Sequence, residues 1–143
     1  MKYDDASWHY GGDFPDDLPD TAGATHIGMF LAWALINDMA GELHLEGSQE
    51  SIEKVKNRDM TGSEFLIREC DEKFTDEDLN NEGNSFVKYY FDDEEGYGKY
   101  ISDYEEALSS ELPSMYHVKD TWENFDKLKP LIDKAYQQWK SVG

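Results

Sequence analysis

The stretch ATHIGMFLAWALINDM, residues 24–39, decides the fold. Its apolar residues recur at the spacing of an α-helix, and Trp33 adds a second apolar side. The regularly spaced positions are Ile27, Phe30, Leu31, Ala34, Leu35 and Met39. A helix that is apolar on nearly all sides is buried, so this segment predicts the central helix of one hydrophobic core. It ends at Asn37-Asp38, after about half the length that a membrane span requires.

The flanking sequence predicts further helices around this centre. Thr61 to Glu64 form a capping box before an apolar run, and residues 75–78 repeat the pattern ahead of Leu79, Phe86 and Tyr90. Apolar residues at helical spacing also follow Ser48 and occur between Tyr97 and Leu108. A last set extends from residue 120 to Trp139 and includes Pro130. We therefore expect a mainly α, irregular multi-helix single domain over residues 1–143. We also expect a loop-rich arm over residues 1–23 and a short hairpin near one end.

The composition indicates an acidic protein that folds on its own. The chain has 143 residues with 13 basic and 32 acidic side chains, a formal net charge of −19. This charge favours solubility and repels nucleic-acid phosphates and anionic membranes, so neither is an expected partner. The single cysteine excludes an intrachain disulfide, and the N-terminal residues lack the pattern of a secretory signal. These features predict a cytoplasmic protein.

The sequence contains few of the residue patterns that form catalytic or metal sites. Residues 78–83 match the first half of a calcium loop, but Tyr89 stands where the bidentate glutamate belongs. The four histidines lack helical pairing, and acidic neighbours disfavour the thiolate of Cys70. We therefore expect no catalytic residues, no metal, no cofactor and no enzymatic activity.

Negative charge is concentrated in one internal segment. Residues 69–106 contain 14 acidic side chains and three lysines, and tyrosines lie between the acids. Such a run is either a solvated face or a surface that steers a basic partner to its docking site. The predicted partner-binding residues are Asp71, Glu72, Asp76, Glu77, Asp78, Tyr90, Asp92, Asp93, Glu94, Glu95 and Tyr97.

A second candidate site lies near the N-terminus. Its polar and aromatic residues are unusually dense for a connecting arm, and they form either a cluster that locks the fold or a ligand pocket. The residues are Trp8, His9, Tyr10, Asp13 and His26.

Three segments carry a family resemblance: DDASWHYGGDFP at residues 4–15, GATHIGMFLAW at 23–33 and YHVKDTW at 116–122. Together with residues 61–86, they resemble a family of small acidic bacterial cytoplasmic proteins of unknown function, some of them linked to polymorphic-toxin immunity. The resemblance implies a bacterial cytoplasmic protein and brings no catalytic motif.

These observations predict a binding protein. In the first hypothesis it is an immunity or antitoxin protein that occludes a basic toxin domain, such as a nuclease, through its acidic aromatic surface. The alternative is a small-molecule-binding protein or an unrecognised enzyme with a pocket near Trp8, His9, Asp13 and His26.

Overall fold

The computed structural model describes residues 2–10, 14–91 and 98–142. Two strands are present, β1 (Lys2–Asp5) and β2 (Lys73–Thr75). The α-helices are α1 (Ala6–Tyr10), α2 (Thr25–Ile36), α3 (Glu42–Gly47), α4 (Gln49–Lys56), α5 (Gly62–Glu69), α6 (Asn81–Tyr90), α7 (Gly98–Tyr104) and α8 (Trp122–Val142). Short 3-10 helices cover Asp20–Ala24, Asp76–Asp78 and Met115–His117, and a π-helical segment covers Glu105–Ser109. The expectation of a mainly α domain is confirmed.

Helix α2 is the centre of the domain, as its sequence predicts. Every residue from Thr25 to Leu35 is buried, including the polar His26. Helices α4, α5 and α8 pack around it. Within the described ranges, no helix has both the length and the apolar content needed to cross a bilayer.

Helices α2 and α5 approach so closely that their backbones touch at two glycines. A Cβ atom placed on Gly62 would lie 2.5 Å from the carbonyl carbon of Gly28, and one placed on Gly28 would lie 2.5 Å from the Cα of Ser63. Real Cβ atoms do not approach other atoms so closely. The two glycines therefore supply space for the helix contact.

The two strands correct two expectations about the N-terminal region. Strand β1 pairs antiparallel with β2, so that Asp4 lies opposite Phe74 and Asp5 opposite Lys73. The strands come from opposite sides of α2 in the sequence and therefore do not form a hairpin. Residues 2–10, predicted as part of a loop-rich arm, contain β1 and α1 because pairing with β2 and burial of Tyr3 and Ala6 supply the order that local sequence lacks.

The capping signals are placed correctly, but one predicted helix is divided. Thr61 and Glu64 form the predicted capping box at α5. Thr75 and Asp78 form a second box, yet it begins only a single 3-10 turn. The side chain of Asn80 then caps α6 by accepting a hydrogen bond from Gly83. The chain between the two caps is extended at Leu79, so the helix predicted from residue 75 begins instead at residue 81.

Aromatic rings fill the core between α2, α6 and α7. The ring of Phe30 contacts the rings of Phe74, Phe86, Tyr90 and Tyr100, with centroid separations of 5.4–6.2 Å. Helix α8 closes this core and continues through Pro130. Asp133 on α8 accepts a hydrogen bond from Nε1 of Trp33 at 2.8 Å, which ties α8 to the central helix.

Replacing Thr61 with alanine is expected to lower the free energy of unfolding by about 1 kcal/mol, the usual contribution of an N-cap. The Thr61 hydroxyl accepts from the backbone of Glu64 and donates to Asp120 at 2.8 Å, so both contacts are lost. Chemical denaturation measures the change. Thr21→Ala, at an exposed position of the first 3-10 helix, is the control; equal losses in the two variants would contradict a capping role.

Candidate functional site

One carboxylate joins two histidines near the N-terminus. Strand β1 places Asp4 beside His9 of α1 and His26 at the start of α2. Asp4 Oδ1 lies 2.8 Å from His9 Nε2, and Asp4 Oδ2 lies 3.2 Å from His26 Nε2. The hydroxyl of Tyr116 lies 2.6 Å from His9 Nδ1. We call Asp4, His9 and His26 the Asp4 cluster.

The contacts of the Asp4 cluster are satisfied when each histidine carries a proton on Nε2. Each Nε2–H donates to one carboxylate oxygen, and the Tyr116 hydroxyl donates to the remaining nitrogen of His9. Burial alone would raise the pKa of Asp4, but the hydrogen bonds from His26 and His9 outweigh it and hold that pKa well below its usual value. Burial lowers the pKa of His26, which favours the neutral ring. The Asp4 cluster therefore fixes the position of Tyr116.

Tyr116 forms part of the wall of a surface groove of about 500 Å³. The apolar lining residues are Leu18, Pro19, Ala22, Ile67 and Val118. The polar lining residues are Thr21, Thr25, Ser63, Glu64, Tyr116, His117, Lys119 and Asp120. We call this feature the Asp120 groove.

The carboxyl group of Asp120, which lines the groove, has a raised pKa. Burial raises its pKa, the hydrogen bond from Thr61 opposes this, and the nearby charge of Glu64 raises the pKa further. The partly buried carboxyl group of Asp120 thus lies near the exposed carboxylate of Glu64. A cation bound there would relieve both the desolvation and the repulsion.

A third group of reactive side chains lies between α3, the end of α5 and the 3-10 turn at Asp76–Asp78. His44 Nε2 lies 2.7 Å from Asp78 Oδ1 and 3.6 Å from Cys70 Sγ. We call these residues the His44 cluster. A nucleophilic triad would place the acid and the nucleophile on opposite nitrogens of the histidine, whereas here both face Nε2. Burial raises the pKa of Cys70 above its usual range, as do the charges of Asp78 and Glu69, so the geometry does not suit nucleophilic catalysis.

With this geometry in place, comparison with known proteins gives one match. A family described as a domain of unknown function, DUF7832, matches residues 2–118. The chain belongs to the DUF7832 family. This confirms the expected membership of a family of unknown function. No curated protein and no solved structure matches the chain.

Within the DUF7832 domain, the predicted N-terminal pocket is only partly assembled. His9 and His26 meet in the Asp4 cluster, whereas Trp8 is 58% exposed. Tyr10 turns to Glu72 and donates a hydrogen bond to it at 2.7 Å. Asp13 lies outside the described residues.

The predicted partner-binding surface of the DUF7832 domain requires two corrections. Tyr90 is fully buried and donates to Asp103, because the helical spacing that predicts α6 also directs this ring into the core. Asp78 is buried because it bonds His44 and the backbone of Thr75. Among the other predicted residues, Asp71 and Glu77 are exposed and Glu72 and Asp76 half-buried, while Asp92, Asp93, Glu94, Glu95 and Tyr97 lie outside the described part of the chain.

Several residues of these sites escape sequence reasoning. Asp4 and Asp120 carry no local signal because the chain has 32 acidic side chains. Tyr116 lies in a segment that supports the family resemblance but has no motif of its own. His44, Cys70 and Asp78 become neighbours only because the chain between Ala40 and Leu79 folds back to form an isolated antiparallel bridge.

Proposed function

We propose that this domain binds a basic protein partner and that the Asp120 groove takes a lysine or arginine side chain from it. The carboxylate pair of Asp120 and Glu64 in a largely apolar groove is the observation that carries the proposal. A lysine or arginine has an aliphatic stem and a cationic end, so it matches both parts of the lining.

The charges of the groove favour a cation over an anion. Glu64 is exposed, and Asp120 is partly buried, with hydrogen bonds from the hydroxyls of Thr61 and Ser63. Lys119 also lines the groove and is exposed, so its ammonium group is hydrated. His117 is hydrogen-bonded to Asp17 at 3.0 Å. An incoming cation thus gains most at the desolvated Asp120, where water competes least.

The charge of the whole domain supports the same class of partner. A net charge of −19 attracts a basic surface from a distance and accelerates encounter. Exposed acids such as Asp71 and Glu77 contribute to this attraction. The immunity or antitoxin hypothesis is the special case in which the basic partner is a toxin domain such as a nuclease. Protection of cells that express a toxin encoded beside this gene tests that case.

A small organic cation is the second candidate ligand. The groove volume of about 500 Å³ is within the usual range of small-molecule pockets. A free amine would use the same carboxylates without a peptide backbone. Stronger binding of a free alkylamine than of a capped lysine would favour this candidate over a protein partner.

We expect Asp120→Asn to weaken binding of Nα-acetyl-lysine methylamide, a capped lysine with a free side-chain ammonium group, at least tenfold. The reason is that the substitution removes the charge that pairs with the ammonium group. Titration followed by NMR measures affinity and location together. Affinity should rise with pH through the pKa of Asp120, which lies above its ordinary value of 3.8, because only the ionised carboxyl attracts the cation.

Two controls accompany this experiment. N-acetyl-norleucine methylamide keeps the aliphatic stem without the charge and should bind more weakly than the lysine probe. Asp59→Asn removes one exposed carboxylate elsewhere on the domain and should leave the affinity unchanged. Equal binding of the lysine probe to the wild type and to Asp120→Asn, or shifts away from the groove, would disprove the proposed site.

A further inference from the structure

The His44 cluster is held in place by backbone contacts as well as by its side chains. Ala40 and Leu79 form an isolated antiparallel bridge immediately before α3 and after the turn that carries Asp78. The amide of Gly41 donates to the carbonyl of Asp78 at 3.0 Å. These contacts fix the start of α3 against the Asp76–Asp78 turn, so His44 and Asp78 are presented to each other in advance of any ligand.

From this arrangement we infer that His44, Cys70 and Asp78 bind a divalent transition-metal ion of the zinc type. Their ligand atoms all lie within 4.8 Å of one another. A tetrahedral zinc ion with bonds of about 2.0 Å to nitrogen and about 2.3 Å to sulfur separates those two atoms by about 3.5 Å. The observed separation of His44 Nε2 and Cys70 Sγ is 3.6 Å, which matches that edge. His44 and Asp78, at 2.7 Å, would separate by roughly 0.6 Å to admit the ion.

The contacts behind these ligands orient them as in metal sites. His44 Nδ1 lies 3.3 Å from the hydroxyl of Ser48, and that hydroxyl lies 3.3 Å from Glu69 Oε1. When Ser48 donates its one hydroxyl proton to Glu69, it accepts a hydrogen bond from His44 Nδ1–H. The lone pair of His44 Nε2 then faces Asp78 and Cys70. Such a hydrogen bond on the second nitrogen is the usual support of a metal-binding histidine.

Asp78 is fixed in a similar way. Its Oδ2 accepts the backbone N–H of Thr75 at 2.7 Å, which leaves Oδ1 directed at His44. In the absence of an ion, the 2.7 Å separation of His44 Nε2 and Asp78 Oδ1 is that of a hydrogen bond. Binding of an ion at Nε2 replaces that hydrogen bond and places the ring proton on Nδ1, toward Ser48. The thiol of Cys70, which has no counterpart in the Asp4 cluster, distinguishes the His44 cluster as the site for a zinc-type ion.

The ligand set determines the class of metal. Thiolate and imidazole favour zinc and cobalt over magnesium and calcium, which prefer oxygen. Binding forms a metal–sulfur bond in place of the S–H bond of Cys70, and the proton leaves to solvent. Three protein ligands leave a fourth coordination position for water. Acidic side chains near the cluster, including Glu42 and Glu46 on α3, raise the local concentration of cations.

Cobalt(II) titration of the full, metal-free chain tests this site. We expect a thiolate-to-cobalt charge-transfer band that saturates at one equivalent and is abolished by zinc. Cys70→Ser should remove the band and weaken zinc binding at least tenfold, and zinc should raise the Tm of the wild type but not of this variant. A second variant, Asp78→Asn, weakens binding while retaining the thiol, so the result does not depend on one substitution.

His117→Gln is the matched control, because this histidine pairs with Asp17 away from the cluster. It should retain both the band and the zinc affinity. Absence of the charge-transfer band in folded wild-type protein, or equal zinc affinity in the wild type, Cys70→Ser and Asp78→Asn, would overturn the inference. Cobalt absorption without a thiolate band would place the ion elsewhere, with the Asp4 cluster as the next site to test.

Discussion

Replacing Gly62 with alanine is expected to reduce the free energy of unfolding by more than about 3 kcal/mol, the upper end of the usual cost of overpacking. The added Cβ would lie 2.5 Å from the carbonyl carbon of Gly28 and 2.9 Å from the Cβ of Ala32. The obstructing atoms include backbone, which cannot rotate away, so α5 would have to move off α2. Since a typical domain has only about 5–15 kcal/mol of stability, this loss would be a large fraction of the total.

Urea denaturation followed by circular dichroism measures this loss. Gly47→Ala is the control, since a Cβ added there, at the end of α3, would meet no described atom within 4 Å other than those of its chain neighbours and of the nearby backbone of its own helix. That variant should differ from the wild type by at most about 1 kcal/mol. Similar stability of the Gly62 and Gly47 variants would show that the helices have freedom to separate.

Asp4→Asn has the second largest expected effect, a loss of at least about 2 kcal/mol, because buried donors lose an acceptor. Asp4 accepts from both histidines of the Asp4 cluster and from the amide of Asp5 at 2.8 Å. The amide group of asparagine has one acceptor oxygen and would direct an N–H toward one of the imidazole donors. Asp71→Asn, at a side chain that is 92% exposed, should change stability by less than about 0.5 kcal/mol.

The pH dependence of unfolding gives an independent measurement. The pKa of His26 is lower in the folded state than its ordinary value of 6.5, so the unfolded chain takes up the proton first and stability falls as pH decreases below that value. The pKa of Asp4 is also lowered, so its contribution is complete above its ordinary value of 3.8 and is lost at more acidic pH. In Asp4→Asn this second loss should be smaller. An unchanged acid limb would contradict the role given to the carboxylate.

Local sequence signals predict a helix well where all the residues that determine it lie in one segment. The continuous apolar run predicts α2, and the Thr61 capping box gives the start of α5. The second capping box misleads because the competing cap at Asn80 starts a new helix. Strand pairing depends on contacts between β1 and β2 that no local pattern contains.

The candidate sites were less accessible to sequence reasoning for the same physical reason. His9 and His26 lie 17 positions apart in the sequence, and their shared acceptor, Asp4, is one carboxylate among 32 acidic side chains. The prediction that Tyr90 is a partner-binding residue was wrong, because apolar residues at helical spacing mark the buried side of a helix. An aromatic residue at such a position contributes to the core before it can contribute to an interface.

The pairing of β1 with β2 has a consequence for synthesis on the ribosome. The segment that contains Asp4 leaves the exit tunnel before its strand partner at Lys73–Thr75, which emerges only after α2 and α5 have been made. The first strand must therefore stay unpaired while about half of the chain is translated. The strand made later completes the strand made earlier, so the Asp4 region is expected to acquire protection from proteolysis only after β2 has emerged.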